Sequence, residues 1–160
     1  MWGTGYASLI MAEATPAGHK ANRIDQKAPA TYRARSLKEE NPGLNEQALI
    51  CRVLAVFNQP ELARQSFLLS RLDELDVAGR AHLAAAWLES GRRDQAVLAL
   101  PDDTLDLKPA VRSTSRRLTS PVAQEAILLS VLLSLDEDHP WIPQLVERLN
   151  LSRKNGKWRS

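Results

Sequence analysis

A run of apolar residues near the C-terminal end constrains this chain most. From position 126 to 135 it reads Ala-Ile-Leu-Leu-Ser-Val-Leu-Leu-Ser-Leu. Ser120 and Pro121 precede the run and suit the start of a helix, because proline has a helical φ and lacks only an N–H that the first turn leaves unbonded. Apolar residues cover every side of this helix. We therefore expect it to lie between other helices, with Leu129 and Leu133 among the most buried residues.

A second, amphipathic helix is predicted from Trp141 to about Arg153. The segment from Asp136 to Pro140 separates it from the first, and Asn155-Gly156, a pair suited to the left-handed conformation, is predicted to end it. Its apolar positions follow the i, i+3, i+4, i+7 spacing of one helix face: Ile142, Leu145, Val146 and Leu149. We expect the rest of the chain to be arranged around this helical hairpin.

The preceding part of the chain also has helical spacing, interrupted by proline or glycine. Helices are predicted at about Thr4–Thr15, Tyr32–Glu40, Asn45–Phe57, Pro60–Leu72, Val77–Glu89 and Arg92–Leu100. In the last of these, Ala96, Val97 and Leu100 are expected to face inward. Hardly any stretch alternates with period two, and only the polar segment Pro101–Thr119 leaves room for a short strand pair. The sequence predicts an all-α fold in one domain, 1–160, with seven or eight helices in antiparallel pairs along a curved path.

Composition indicates a globular protein and favours no charged partner. Hydrophobic residues make up 44% of the chain, and 21 Lys and Arg against 19 Asp and Glu leave a net charge of +2. This balance indicates neither nucleic acid nor an anionic membrane as partner. We interpret the basic end, Arg148–Arg159, as a solvated helix terminus. The apolar runs are shorter than the roughly 20 residues that span a bilayer.

The N-terminal stretch and the single cysteine are the residues that could indicate the cellular compartment of the chain. No Lys or Arg precedes the mildly apolar stretch from Trp2 to Met11, so it lacks the basic region of a signal peptide and is predicted to be an amphipathic helix. One cysteine, Cys51, excludes an intrachain disulfide. Neither observation places the chain in the cytosol, because many exported bacterial proteins lack disulfides.

The residues that could support catalysis lack the required patterns. Asp102, Asp103 and Asp106 form an Asp-Asp-x-x-Asp cluster of the kind that holds Mg²⁺, but directly after Pro101 we interpret it as a turn cap. His19, His82 and His139 lack zinc-ligand spacing. We interpret His82 as a core histidine, Cys51 as a small buried hydrophobe, and the tryptophans as core residues. The sequence thus predicts no catalytic, metal or cofactor-binding residues and no enzyme activity.

Three segments, in order and spacing, resemble bacterial α2-macroglobulins. Residues 2–9 read Trp-Gly-Thr-Gly-Tyr-Ala-Ser-Leu, similar to that family's Trp-Gly-Thr-Ala-Tyr-Ala segment. Residues 83–87, Leu-Ala-Ala-Ala-Trp, and 91–96, Gly-Arg-Arg-Asp-Gln-Ala, resemble a second region of the family. Residues 145–160, with Leu-Val-Glu-Arg-Leu and Arg-Lys-Asn-Gly-Lys-Trp-Arg-Ser, resemble the region that continues into Thr-Gln-Glu.

The resemblance implies the thioester-containing domain of that family, an α/α toroid of nested helices. In the family, cleavage of a bait region exposes a Cys–Gln thioester, which couples to the attacking protease. The resemblance thus implies part of an extracytoplasmic protease-trapping protein, an endopeptidase inhibitor, whose partners are proteases and other domains of the parent protein.

The chain departs from the family at the thioester motif. That motif, Cys-x-Glu-Gln, lies before the Trp-Gly-Thr segment, whereas Cys51 is followed by Arg-Val-Leu and Glu46-Gln47 precede it. We therefore interpret the chain as an incomplete toroid without its own thioester: a gene fragment, a truncated reading frame or a thioester-free relative. No catalytic residue is carried over, and we predict that the chain alone forms no thioester and traps no protease.

Two other functions remain open at this stage. The first is an autonomous helical-repeat module for protein interaction, in which residues 91–96 serve equally well as a turn between helices. The second and weaker is a toroid enzyme of terpenoid type, suggested by the cluster at 102–106 and by Gly-Lys-Trp at 156–158.

Overall fold

The computed structural model describes residues 42–100, 121–154 and 157–158, together with Leu9, which is helical and buried. The α-helices of these ranges are α1 (Leu44–Val56), α2 (Leu62–Leu69), α3 (Val77–Glu89), α4 (Arg93–Ala99), α5 (Pro121–Leu135) and α6 (Trp141–Ser152). A 3-10 turn, Leu72–Glu74, separates α2 from α3, and two strands, β1 (Arg153–Lys154) and β2 (Lys157–Trp158), follow α6. The all-α fold class is therefore confirmed. None of the helices in the described ranges is both long and apolar enough to cross a bilayer.

Helix α3 is the element around which the others pack. It contacts α1 most extensively, and also α2, α4 and α5, whereas α6 packs on α5. Small side chains let its neighbours approach closely: Ala78, Gly79, Ala81, Ala84, Ala85 and Ala86 are all buried. Among the described helices, α3 rather than the more apolar α5 therefore has the most helical neighbours.

Helix α5 is buried on one side only. Leu128 and Leu132 are fully buried, whereas Leu129 is half-buried and Leu133 is 47% exposed. The prediction that Leu129 and Leu133 are among the most buried residues is therefore wrong. The buried positions of α5 recur at i, i+3, i+4 and i+7: Leu128, Val131, Leu132 and Leu135. The exposed side is small or apolar as well, so the pattern alone did not distinguish the two sides.

In α6 and α4 as well, the spacing of apolar residues did not fully predict which of them are buried. In α6, Leu145 and Leu149 are buried and Ile142 is half-buried, but Val146 is 42% exposed. In α4, the buried residues are Ala96 and Ala99, both small and three positions apart. Val97 is 55% exposed, so one of the three residues expected to face inward does not. Leu100, just after α4, is half-buried and packs against the core, as predicted.

The predicted ends of α1 and α3 are confirmed, and both helices end in the same way. After α1, Asn58 adopts a left-handed φ of 58°, and the N–H of Gln59 donates to the carbonyl of Leu54 at 2.9 Å. After α3, Gly91 has φ 70°, and the N–H of Arg92 donates to the carbonyl of Trp87 at 2.9 Å. Both are Schellman motifs, which satisfy the last carbonyls of a helix.

Two arginine side chains, from α4 and α6, form hydrogen bonds to α5. Arg148 of α6 donates from Nε (3.1 Å) and Nη2 (2.8 Å) to Oε1 of Glu125, whose side chain is 11% exposed. Arg93 of α4 donates to the carbonyl oxygen of Leu135, at the end of α5 where the helix dipole favours a cation. Arg148, expected on a solvated basic face, thus also binds a nearly buried carboxylate.

One helix end, one predicted helix-ending pair and one strand pair differ from expectation. Helix α2 ends at Leu69 rather than at about Leu72. Helix α6 ends at Ser152, within one residue of the prediction, but Asn155-Gly156 follows β1 rather than the helix. That pair instead lies in sequence between β1 and β2, which pair antiparallel with Lys154 opposite Lys157. Asn-Gly between two strands is typical of a tight hairpin. A short strand pair, β1 with β2, is therefore present where none was predicted. The strand pair considered for Pro101–Thr119 lies outside the described residues, as do the helices predicted at 4–15 and 32–40 except for Leu9.

Candidate functional site

Cys51 lies on the buried side of α1 and has no exposed surface. Burial raises the pKa of its thiol to about 12; the charge of Arg64 opposes this rise and that of Glu61 adds to it. A thiol with so high a pKa is a poor nucleophile at neutral pH, because the thiolate is the reactive form. The interpretation of Cys51 as a small buried hydrophobe is confirmed by its place in the core.

His82 lies in the interface between α1 and α3 and is fully buried. Its Nδ1 is 3.5 Å from Nη1 of Arg52. Burial, and then the charge of Arg52, lowers the pKa of His82 to about 3, so the ring is neutral at pH 7. A neutral Nδ1 facing a guanidinium accepts the hydrogen bond and leaves the proton on Nε2. The interpretation of His82 as a core histidine is therefore confirmed.

The other predicted core and candidate residues fall into three groups. His139 accepts a hydrogen bond at Nδ1 from the backbone N–H of Trp141 (3.3 Å), at the start of α6. Trp87 and Trp141 are buried in the core, as expected. Outside the described residues lie the remaining side chains considered as candidates: Trp2, His19, Asp102, Asp103 and Asp106. In the described part of the chain, no three His, Cys, Asp or Glu side chains are grouped so that they could hold a metal ion.

A groove of about 470 Å³ lies between the start of α1 and the outer side of α2. Among the described residues, its lining includes Gln47, Glu61, Ala63, Arg64 and Phe67. Such a volume is within the range of small-ligand sites in proteins, and this lining combines one guanidinium, one carboxylate and one aromatic ring. We call it the α1–α2 groove.

Gln47 fixes the geometry of the α1–α2 groove. Its residue exposure is only 8%, and both ends of its amide are bonded: Nε2 donates to the carbonyl of Pro42 (2.7 Å), and Oε1 accepts from Nη1 of Arg64 (3.0 Å). Gln47 precedes Cys51 by one helical turn, yet its amide is engaged with these two groups. The buried glutamine therefore holds a guanidinium at the wall of the groove.

Phe67 provides the apolar part of the α1–α2 groove. It is 46% exposed, and the guanidinium carbon of Arg71 lies 5.4 Å from the ring centroid. Arg71 is itself paired with Glu74 at 2.7 Å. A large aromatic side chain left half in solvent beside a groove is a common feature of binding surfaces.

Sequence reasoning did not identify this groove. Gln47 and Arg64 are 17 positions apart on different helices, so no local pattern brings them together. The one available signal was a polar amide at position 47 on the same helix face as Cys51, where an apolar residue fits better.

Comparison of the chain with protein-family models, with curated proteins and with solved structures finds no match.

Proposed function

We propose that this chain forms part of the α/α toroid of an α2-macroglobulin-like, protease-trapping protein. In this proposal the chain is a structural scaffold and carries no thioester of its own. The support is the ordered resemblance of three segments to that family. Two of them coincide with structural features of this fold. In the second segment, residues 83–87 are all buried in α3, and residues 91–96 form the Schellman turn and the start of α4. In the third segment, residues 145–152 form most of α6.

The observation that carries the proposal is the nature of the core around α3. Its small side chains are buried, and the single thiol in the same core is un-ionised at neutral pH. Such an interior can keep water away from a reactive group held elsewhere in the parent protein, but it offers no nucleophile itself. The role assigned to this chain is therefore packing and water exclusion rather than chemistry, in an extracytoplasmic parent.

Two experiments test this proposal. The first reads the DNA on both sides of the coding segment: Cys-x-Glu-Gln codons upstream and Thr-Gln-Glu codons downstream support it, and unrelated flanks oppose it. The second incubates the parent protein that contains this chain with an endopeptidase, and follows cleavage of a protein substrate and of a tripeptide substrate. A trapped protease loses activity toward the protein substrate and keeps it toward the tripeptide. Equal activity toward both substrates, with and without the parent protein, would overturn the proposal.

A second function is favoured by the apolar side chains that the structure leaves in solvent. Val97 and Leu98 on α4 are 55% and 65% exposed, and Leu151 on α6 is 74% exposed. Exposed large apolar residues are typical of contact surfaces. An autonomous helical module for protein interaction therefore remains the alternative. A stable, soluble chain of 160 residues with unrelated flanking DNA favours this alternative over the first proposal.

A further inference from the structure

The α1–α2 groove has no role in the scaffold proposed above, and its construction is that of a prepared binding site. Gln47 is nearly buried and bonded at both ends of its amide, so the guanidinium of Arg64 is held before any ligand arrives. A side chain that is already positioned loses less conformational entropy on binding. The structure therefore points to Arg64 as the anchor of a ligand.

The chemistry of Arg64 selects the ligand's polar group. A guanidinium has five N–H donors in a planar fork, and the hydrogen bond to Gln47 occupies one of them. This fork matches the two oxygens of a carboxylate. Inorganic phosphate also fits a guanidinium, but it brings no apolar group to the aromatic side of the groove, which Phe67 provides.

The aromatic ring selects the rest of the ligand. Phe67 lines the groove with almost half of its surface exposed, and Ala63 leaves space beside it. An apolar or aromatic group packed on this ring would remove apolar surface from water on both partners. A carboxylate ligand without such a group would leave Phe67 exposed.

We propose that the α1–α2 groove binds the free C-terminal carboxylate of a peptide whose last side chain is apolar or aromatic. Arg64 binds the carboxylate, Gln47 positions Arg64, and Phe67 packs against the last side chain. Nothing in this assignment depends on the protease-trapping function, and either can fail without the other.

The test uses the full 160-residue chain and the probe N-acetyl-leucyl-phenylalanine, compared with its C-terminal amide. Binding is followed by calorimetry and by NMR shifts of the Gln47 side-chain amide. We expect the acid to bind at least about tenfold more tightly than the amide, because a hydrogen bond to a charged group is stronger than one to a neutral amide. Arg64→Gln should weaken binding of the acid by a similar factor, and Phe67→Ala by about threefold or more.

A matched control removes the same charge elsewhere. Arg92 lies exposed at the start of α4, outside the groove lining, so Arg92→Gln should change the affinity less than about twofold. Inorganic phosphate at the same concentration should not displace the probe.

Three results would overturn the proposal: equal affinity for acid and amide, no loss of affinity in a folded Arg64→Gln chain, or displacement by phosphate as effective as by excess acid. The first and third use the unaltered chain, so they decide the question even if Arg64→Gln does not fold.

Discussion

Asn45 and Gly79 share one small space where α1 crosses α3. A Cβ added at position 79 would lie 3.0 Å from Cγ of Asn45 and closer still to its Oδ1. That oxygen accepts a hydrogen bond from the backbone N–H of Asp76 (3.0 Å), and Oδ1 of Asp76 caps α3 by accepting from the N–H of Gly79 (2.8 Å). The absence of a side chain at Gly79 thus lets a residue of α1 bond to the start of α3.

Gly79→Ala should therefore destabilise the chain although alanine is the better helix former. Alanine contributes about 1 kcal/mol of helix propensity, whereas crowding costs about 1–3 kcal/mol and the displaced hydrogen bond about 1 kcal/mol more. We expect a net loss of about 1–3 kcal/mol in urea unfolding. Gly43→Ala is the control, because no atom lies within 4 Å of a Cβ at that position. Adding Asn45→Ala to Gly79→Ala should recover part of the lost stability, because it removes the side chain that the new alanine would crowd. A double variant whose loss of stability equals the sum of the two single losses would contradict the explanation.

The two adjacent leucines of α5 provide a second test. Leu132 is fully buried and Leu133 is 47% exposed. Leu132→Ala should lower the free energy of unfolding by about 2–5 kcal/mol, because it leaves a cavity in the core. Leu133→Ala removes a side chain that is half in solvent and should cost less than about 1 kcal/mol. Thermal or urea melts of the two variants that agree within error would mean that α5 is turned differently from the described structure.

Local signals in the sequence were sufficient for the ends of α1 and α3 but insufficient for the helix faces. Asn58 and Gly91 end α1 and α3 where expected, because the left-handed conformation is a property of the residue itself. The buried side of α5 could not be read, because apolar residues on all sides give no preferred direction. Val97 and Val146 show the same limit: both follow a helical period, and both are exposed because of what packs nearby.

Some properties of the candidate functional residues could be predicted from the sequence, and others could not. The buried states of Cys51 and His82 followed from their apolar neighbours in sequence. The α1–α2 groove did not, because it depends on the contact of Gln47 with Arg64 between two helices. The pairing of β1 with β2 was missed for a different reason. Asn-Gly suits both a helix end and a tight turn between strands, and only the pairing of Arg153 with Trp158 shows that strands lie on both sides of it.

His82 predicts a dependence of stability on pH. Its pKa is about 3 in the folded chain and about 6.5 when unfolded, so between these values the unfolded chain binds the additional proton. Stability is therefore complete above pH 6.5 and falls as the pH decreases toward 3, by up to about 1.4 kcal/mol per pH unit. Urea melts at pH 7, 6 and 5 should show this slope in the unaltered chain.

The matched variant for this slope is His82→Gln, which removes the titrating ring from the α1–α3 interface. Its absolute stability is expected to be lower, since a fully buried side chain is replaced. Its loss of stability between pH 7 and pH 5 should nevertheless be smaller than that of the unaltered chain. Carboxylates contribute equally to both proteins and cancel in the comparison. Identical slopes would show that His82 is not the group responsible.

Cys51 predicts how the chain responds to thiol reagents. Its side chain is fully buried and its pKa is about 12, so we expect very slow labelling by a disulfide reagent at pH 8 in the native chain. Labelling then requires local or global opening. In denaturant, one thiol per chain should react at once, and a Cys51→Ala variant should show none.

The same cysteine tests whether the chain forms a thioester. That bond joins a thiol to the carbonyl carbon of a glutamine side chain with loss of ammonia, and the residue three positions after Cys51 is Leu54. Gln47 lies one turn before it, but its amide is bonded to Pro42 and Arg64, and both residues are held in α1. We therefore expect methylamine to change neither the mass of the chain nor its thiol content. The opposite result is a thiol that stays hidden in denaturant and is released once per chain by methylamine, with a matching mass gain at Gln47. That result would make Cys51 the reactive centre and would require α1 to open around it.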